Sequence, residues 1–243
     1  MLLKRIDGRS FDQLRTVSIT TGFLAYAEGS ALIELGKTRV VCSVSMEDKV
    51  PFFLKGTGTG WVTAEYSMLP RATLTRSQRD STKGKVSGRS HEIQRLIGRS
   101  LRAVTDLKQL GERNLIVDCD VLQADGGTRT AAITGSYVAL YHAFKSMVDM
   151  GLIPSIPLKD QLAATSIGVA GNDILLDLCY EEDCTAEADF NIVMTGSGTL
   201  VEVQGTAETE PYTRQTLDAI LTLAEKGIRQ LFQVQQAAIE RLK

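Results

Sequence analysis

Two stretches of the chain gather residue types that can handle phosphate. The first is Asp125-Gly-Gly-Thr-Arg-Thr130. Paired glycines let a backbone turn sharply and approach a ligand closely. The Thr128-Arg129 that follows stands where a helix is expected to open, and a helix start offers free N–H groups and a positive dipole end to an anion. A hydroxyl and a guanidinium at that point complete a phosphate cradle. The same residues also suit an ordinary strand-to-helix turn with threonine as its cap. The second stretch runs from Asp177 to Asp189 and holds six acids in thirteen residues, with no Lys or Arg. Converging carboxylates repel unless a cation or a proton neutralises them, and oxygen-only donors suit Mg²⁺ or Mn²⁺. A solvated acidic loop is the alternative. Strand alternation puts Phe190, Ile192 and Met194 on one face, and Asp189 and Asn191 on the other.

Two basic features accompany them. Arg89 opens a helix, and its phase turns it towards the apolar side, where a buried charge needs an anionic partner. Bound phosphate and a structural carboxylate both qualify. Arg95, Arg99 and Arg102 share the opposite stripe, read as a solvated face or a subunit contact. Before that helix lies a polar loop carrying Arg71, Arg76, Arg79, Lys83 and Lys85, with no aromatic residue for base stacking. It suits phosphate-backbone contact with little sequence preference, or no partner at all. It is too polar to pack and is expected to move.

Other chemistries are poorly served. The chain has only two histidines, His91 and His142, and no Gly-x-Ser-x-Gly elbow, which argues against a histidine zinc site and a Ser-His-Asp triad. Gly29 to Thr38 imitates a P-loop, but six residues separate its glycines where four are needed. Gly56, Gly58 and Gly60 lack dinucleotide-fingerprint spacing and precede no helix. They are read as a flexible loop.

The elements that must position these residues are legible in outline. Strands are expected at Thr16–Thr21, Ser30–Leu35, Thr38–Ser45 and Trp61–Met68, with Gly36-Lys37 turning between the second and third. A helix follows at Arg89–Leu110, its face made by Ile93, Leu96, Ile97, Val104 and Leu107. Then come a strand at Asn114–Leu122 and a helix at Thr130–Met150. Pro154 and Pro157 mark a linker. Strands follow at Ala163–Ala170 and Ile174–Tyr180 across Gly171-Asn172-Asp173, and at Ala188–Thr195 and Thr199–Gln204 across Gly196-Ser197-Gly198. The last helix spans Thr213–Leu242, with a break expected at Gly227. Two runs of antiparallel strands, each followed by helix, predict an α+β unit of two similar halves, about 1–150 and about 158–243.

Composition bounds the reading. With 243 residues, 43% hydrophobic and 23% charged, the chain is neither disordered nor collagen-like. No apolar run is long enough to span a bilayer, and the opening segment has no apolar core or cleavage pattern, so neither a membrane role nor a signal peptide is expected. The net charge of −2 hides a local +7 between Arg71 and Lys108, as expected for steering a polyanion. Cys42, Cys119 and Cys179 sit in apolar runs and no CxxC pair exists, which suits reduced thiols in the cytoplasm.

Four segments together resemble the bacterial RNase PH family of phosphorolytic tRNA nucleotidyltransferases. They are Phe53 to Pro70 (FLKGTGTGWVTAEYSMLP), Glu92 to Arg102 (EIQRLIGRSLR), Asp118 to Thr130 (DCDVLQADGGTRT) and Glu202 to Glu208 (EVQGTAE). The resemblance extends over nearly the whole chain as one RNase PH unit, 1–243. It implies the ribosomal-protein-S5-domain-2-like fold and a homohexameric ring, a trimer of dimers. It implies that Arg89, Gly127, Thr128 and Arg129 hold inorganic phosphate, and that Asp183 and Asp189 bind the divalent metal and serve catalysis. It places Arg71, Arg76 and Arg79 in the loop that guides a tRNA acceptor stem. The implied reaction is 3′-to-5′ phosphorolysis of tRNA precursors and other RNA 3′ ends. Nucleoside diphosphates leave, and the reverse reaction adds nucleotides. Ser90 and Leu74 stand where the family commonly has Thr and His, which bears on fine RNA preference. Two rival readings are a catalytically silent ring subunit and a phosphotransfer enzyme on a small metabolite.

Overall fold

The computed structural model describes residues 5–79, 82, 84–171 and 173–242; Lys83 and Asn172, both named above, lie outside them. Two sheets and four helices form among the described residues, an α+β architecture. The first sheet holds β1 (Val17–Thr21), β2 (Gly29–Leu35), β3 (Thr38–Glu47), β4 (Trp61–Met68) and β5 (Asn114–Gln123), in the order β1-β2-β3-β5-β4. The second holds β6 (Leu162–Ala170), β7 (Asp173–Leu176), β8 (Ala188–Thr195) and β9 (Leu200–Ala207), in the order β7-β6-β8-β9. The helices are α1 (Gly88–Val104), α2 (Thr128–Asp149), α3 (Tyr180–Asp183) and α4 (Arg214–Glu240).

The second sheet is antiparallel throughout, but the first is not: β4 runs parallel to β5, Trp61 facing Asn114 and Met68 facing Val121. A parallel pair needs a crossover, and α1 supplies it. Helix α1 stops at Val104, short of the expected Leu110. Thr105 turns extended and pairs with Leu158, while Asp106 N–H and Lys159 N–H bond across to the Pro157 and Val104 carbonyls. The linker thus ends the helix by capturing the chain beyond it.

Helix α2 is buried nearly all round, through Ala131, Ala132, Ile133, Val138, Leu140 and Phe144 among others. A helix without a polar face belongs inside, and α2 packs against β2 and β3 on one side and β6 on the other. Its first turn is therefore held rigidly where the two halves meet. Helix α4 lays Ile220, Ala224, Ile228 and Leu231 on the second sheet without a break. Gly227 is needed for room rather than for a bend: a Cβ there would stand 2.7 Å from Leu176 Cδ1. Buried Gln235 ties α4 to both layers, donating to the Thr134 and Leu162 carbonyls at 2.9 and 2.8 Å.

Candidate active site

Strand β5 leads directly into the glycine turn. Gly126 and Gly127 both adopt positive φ, 74° and 64°, and Gly127 caps α2, so the helix opens at Thr128, two residues earlier than the spacing suggested. The N–H groups of Thr128, Arg129 and Thr130 belong to the first turn, which has no carbonyl of its own helix to bond. The twenty-two-residue helix adds its dipole at the same point. Buried Tyr66 on β4 holds Thr128 in place through a 2.8 Å hydroxyl contact. Burial pushes the Tyr66 phenol above its usual range, so it acts as a neutral anchor.

Arg89 lies in the first turn of α1, whose N-cap Ser87 accepts from Ser90 N–H at 3.0 Å. It is exposed, not buried as its helical phase suggested. The phase is right, but that turn overhangs the edge of the core, so the side looking inward further along α1 looks into a cavity here. The cavity measures about 930 Å³, and Arg89, Gly127, Thr128, Arg129, Asp183 and Asp189 all line it. These six residues come from α1, α2 and the turn that caps it, α3 and β8, and the fold brings them to one place.

The acidic run divides. Asp183 ends α3 and Asp189 lies on β8 beside Asn191, with Phe190, Ile192 and Met194 buried behind, as strand alternation requires. Burial and the neighbouring Asp189 raise the Asp183 carboxyl above its usual range, against the pull of Arg89 and Arg129. By contrast, Asp177 and Glu182 are buried and paired with arginines from the start of the chain: Asp177 with Arg15 at 2.7 Å, Glu182 with Arg5 at 2.6 Å. Only part of the run is therefore available to a ligand. No cluster of three His, Cys, Asp or Glu side chains suited to a metal occurs among the described residues. Two carboxylates fit Mg²⁺ or Mn²⁺, which keep waters or take substrate phosphates for their other positions.

Three polar residues of the cavity escaped sequence reasoning. Arg129 donates to Gln204 Oε1 at 2.9 Å and to Glu92 Oε1 at 3.4 Å, while Gln204 Nε2 donates to Glu92 at 2.6 Å. Both partners line the cavity, as does Glu208, whose charge adds to the upward push on Asp183. The one sequence signal for Gln204 and Glu208 is the Glu202–Glu208 motif.

Arg71, Arg76 and Arg79 are exposed and stay outside the cavity lining. Their loop is anchored at its base, contrary to expectation. Ala72 is buried and its carbonyl accepts from Ala124 N–H at 2.8 Å, next to the glycine turn. The Arg95, Arg99, Arg102 stripe also divides. Arg102 lies 4.3 Å over the Trp61 ring and donates to the Val62 carbonyl, Arg99 pairs with Glu202, and Arg95 is exposed. Arg102 thus serves packing rather than a solvated face.

Family models match both halves of the chain. The 3′ exoribonuclease family, domain 1, matches residues 13–146, and domain 2 of the same family matches residues 160–227. The chain belongs to the RNase PH family of 3′ exoribonucleases. Ribonuclease PH of Dehalococcoides mccartyi is 64% identical over 234 residues, covering 96% of this chain and 97% of that one. Ribonuclease PH of Syntrophomonas wolfei is 58% identical over 237 residues, covering 98% and 99%. Among solved structures, the Archaeoglobus fulgidus exosome with RNA bound to its active site superposes with a TM-score of 0.82 at 25% identity, covering 95% of this chain and 92% of that one. Rice Rrp46 matches in fold, with a TM-score of 0.76 at 20% identity and coverage of 98% and 100%. No helix of the described RNase PH-family chain is long and apolar enough to cross a membrane.

Proposed function

We propose that this chain performs the reaction of its family, phosphate-dependent 3′-to-5′ trimming of tRNA precursors, in the cavity between the glycine turn and the acidic pair. The observation that carries this reading is the meeting of Arg89, Thr128 and Arg129 with Asp183 and Asp189 around one space. Inorganic phosphate sits on the α2 N-terminus, held by Gly127, Thr128 and Arg129 and by the Arg89 guanidinium. One of its oxygens attacks the phosphorus of the last RNA phosphodiester. The phosphorus–O3′ bond breaks, a nucleoside diphosphate leaves, and the 3′-oxygen becomes the hydroxyl of the new RNA terminus, gaining overall the proton that hydrogen phosphate loses on forming the new bond. Two anions must meet for this to happen, and the two arginines with the helix dipole offset their repulsion. The exchanged bonds are alike in energy, so nucleoside diphosphates also extend RNA 3′ ends in reverse.

Asp183 and Asp189 would hold the divalent cation, Mg²⁺ or Mn²⁺. When bound it neutralises charge on the phosphoryl oxygens. Arg71, Arg76 and Arg79 give the RNA an exposed basic track outside the cavity. A homohexamer, a trimer of dimers, is the assembly we propose; exposed Tyr26, Phe52 and Phe53 and the likeness to an exosome subunit support it. Four unpaired cysteines support a cytoplasmic setting.

The test is product release from an RNA with a short 3′ extension, in Mg²⁺, with and without inorganic phosphate. The expected product is nucleoside diphosphate, formed only with phosphate, and Arg129→Ala should raise the phosphate KM about tenfold or more. Monophosphate release without phosphate would mean hydrolysis and overturn the reading. An unchanged phosphate KM in Arg129→Ala would remove the cradle.

A further inference from the structure

Behind the cavity lies a buried charged cluster that the reaction above does not use. Arg15 stands just before β1, with 4% of its side chain exposed. Its backbone N–H, Nε and Nη2 all bond the Asp177 carboxylate, at 2.8, 3.0 and 2.7 Å. The same guanidinium turns its other donors on the glycine turn. Nη1 donates to the Asp125 carbonyl, and Nη2 reaches the Gly126 carbonyl at 3.4 Å. Thr38 supports that turn from the other side, accepting from Asp125 N–H at 2.9 Å and donating to the Gly126 carbonyl at 2.7 Å.

Asp177 stands two residues before Cys179, the cap of the acidic helix. It is the one described non-glycine residue with positive φ, 57°, a conformation that a surrounding structure must hold. From there the chain passes against the glycine turn. A Cβ on Gly126 would stand 2.5 Å from the Leu178 carbonyl oxygen and 2.8 Å from the Cys179 carbonyl carbon, and Tyr180 N–H points at Asp125 Oδ1, 3.4 Å away. Helix α3 follows at once, bearing Asp183. It is pinned by Glu182, which accepts from Arg5 at 2.8 and 2.6 Å and from Cys179 N–H at 3.1 Å.

A buried ion cluster is an expensive way to hold a core together, since desolvation cancels much of the attraction. A guanidinium gives what an apolar side chain cannot: a planar fork with fixed donor directions. Here one fork spans the turn that cradles phosphate and the residue that launches the acidic helix. We infer that Arg15, held by Asp177, is a positioning residue for phosphorolysis: it locks the phosphate turn against the acidic helix and sets how well phosphate is seated and aimed. This rests on the phosphate-cradle reading of Gly127-Thr128-Arg129. Arg15 acts through those groups and touches neither phosphate nor RNA.

Positioning and mere structural support make different demands on kinetics. A loosened turn weakens phosphate binding and misaims attack, yet it leaves the exposed basic loop that grips RNA unchanged. Loss of folded protein lowers the apparent rate without moving either KM. The experiment uses the full chain with Mg²⁺ and compares Arg15→Lys, Thr38→Val and Arg129→Ala, measuring KM for phosphate, KM for RNA, kcat and Tm. Lysine keeps the charge against Asp177 but cannot bond that carboxylate and both carbonyls; valine keeps the shape of Thr38 but frees Asp125 N–H and leaves the Gly126 carbonyl only its longer bond from Arg15. Arg15→Lys should raise the phosphate KM about tenfold and lower kcat, with the RNA KM unchanged, and Thr38→Val should do the same to a smaller extent. If Arg15→Lys does not fold, Thr38→Val alone decides, on the same selective rise. Unchanged phosphate KM, or phosphate and RNA KM rising together, overturns the proposal. Arg129→Ala separates the two levels. If it raises the phosphate KM while the other variants do not, only the positioning role falls. If it does not, the cradle falls and the positioning role with it.

Discussion

Glu182 and Asp183 are neighbours in sequence and opposites in use. Glu182 is buried against Arg5 with its carboxylate oxygens bonded, whereas Asp183 faces a cavity beside Asp189, with arginines near but no ion pair among the described residues. One carboxylate is spent inside the protein and the other is left to a ligand. The arginines divide likewise: Arg5, Arg9 and Arg15 pair with Asp177 and Glu182, while Arg76 and Arg79, in an exposed loop, make no ion pair among the described residues. Charge type and local density do not separate the roles. What separates them is whether the fold delivers an opposite charge from elsewhere in the chain.

Removing one acid of each kind tests this division most directly. Asp189→Asn should lower kcat about a hundredfold or more with Tm and RNA binding intact, because it removes charge aimed at the reacting groups. Glu182→Gln should act the other way round. It leaves the Arg5 guanidinium buried against a neutral partner and should cost about 3 kcal/mol of stability by urea unfolding. Loss of stability without loss of turnover in Asp189→Asn would show that the pocket acids are structural, and the distinction would fail.

Local pattern made much of this legible. Trp61–Met68 runs as its alternation predicts because it buries one face, and Ala188–Thr195 alternates as far as Ile192, beyond which both faces are buried. The glycine turn was readable from spacing, and its helix start to within two residues. That Asp183 and Asp189 form the pair within a run of six acids came from family resemblance, not from spacing. The remainder depends on partners far away in sequence. Asp177 and Arg15 are 162 residues apart, and Glu182 and Arg5 are 177 apart, so the acidic run looked like one cluster. Helix α1 ends where Leu158 captures Thr105, and Gly227 makes way for Leu176, neither of which leaves a periodic signal. Periodicity tells which way a side chain faces, not what it meets.

A finer test uses pH on the two adjacent acids. Burial would raise the Glu182 carboxyl, but its bonds from Arg5 and Cys179 N–H bring it below its ordinary 4.5. Its contribution to stability is present above that value and is lost as pH falls through the lower folded one. Asp183 is shifted upward from 3.8, first by burial and then by Asp189. Its ionisation opposes folding, so its penalty is present at neutral pH and disappears as pH falls through the raised value. Asp183→Asn should therefore show a small gain in Tm at pH 7 that closes in acid, whereas Glu182→Gln should show a large deficit that also closes in acid. Urea midpoints at pH 7 and near pH 4 check both. Shifts of the same sign in the two variants would break the comparison.

The smallest expected effect belongs to Arg76 and Arg79. Arg76 and Arg79 make no side-chain hydrogen bond or ion pair among the described residues and lie outside the cavity, so replacing both with Ala should leave Tm and the phosphate KM alone. If they contact RNA phosphates, the double variant should weaken RNA binding several-fold at low salt and make the slope of log affinity against log salt shallower by about 2. Arg71 is a poorer test because it also donates to the Leu74 carbonyl, so its loss would disturb the loop itself. The salt slope is the sensitive quantity here. A structural arginine changes stability at every ionic strength, whereas an arginine free for a polyanion changes how many counterions are released on binding. An unchanged slope would mean that Arg76 and Arg79 have no polyanion partner, and that their exposure is not availability.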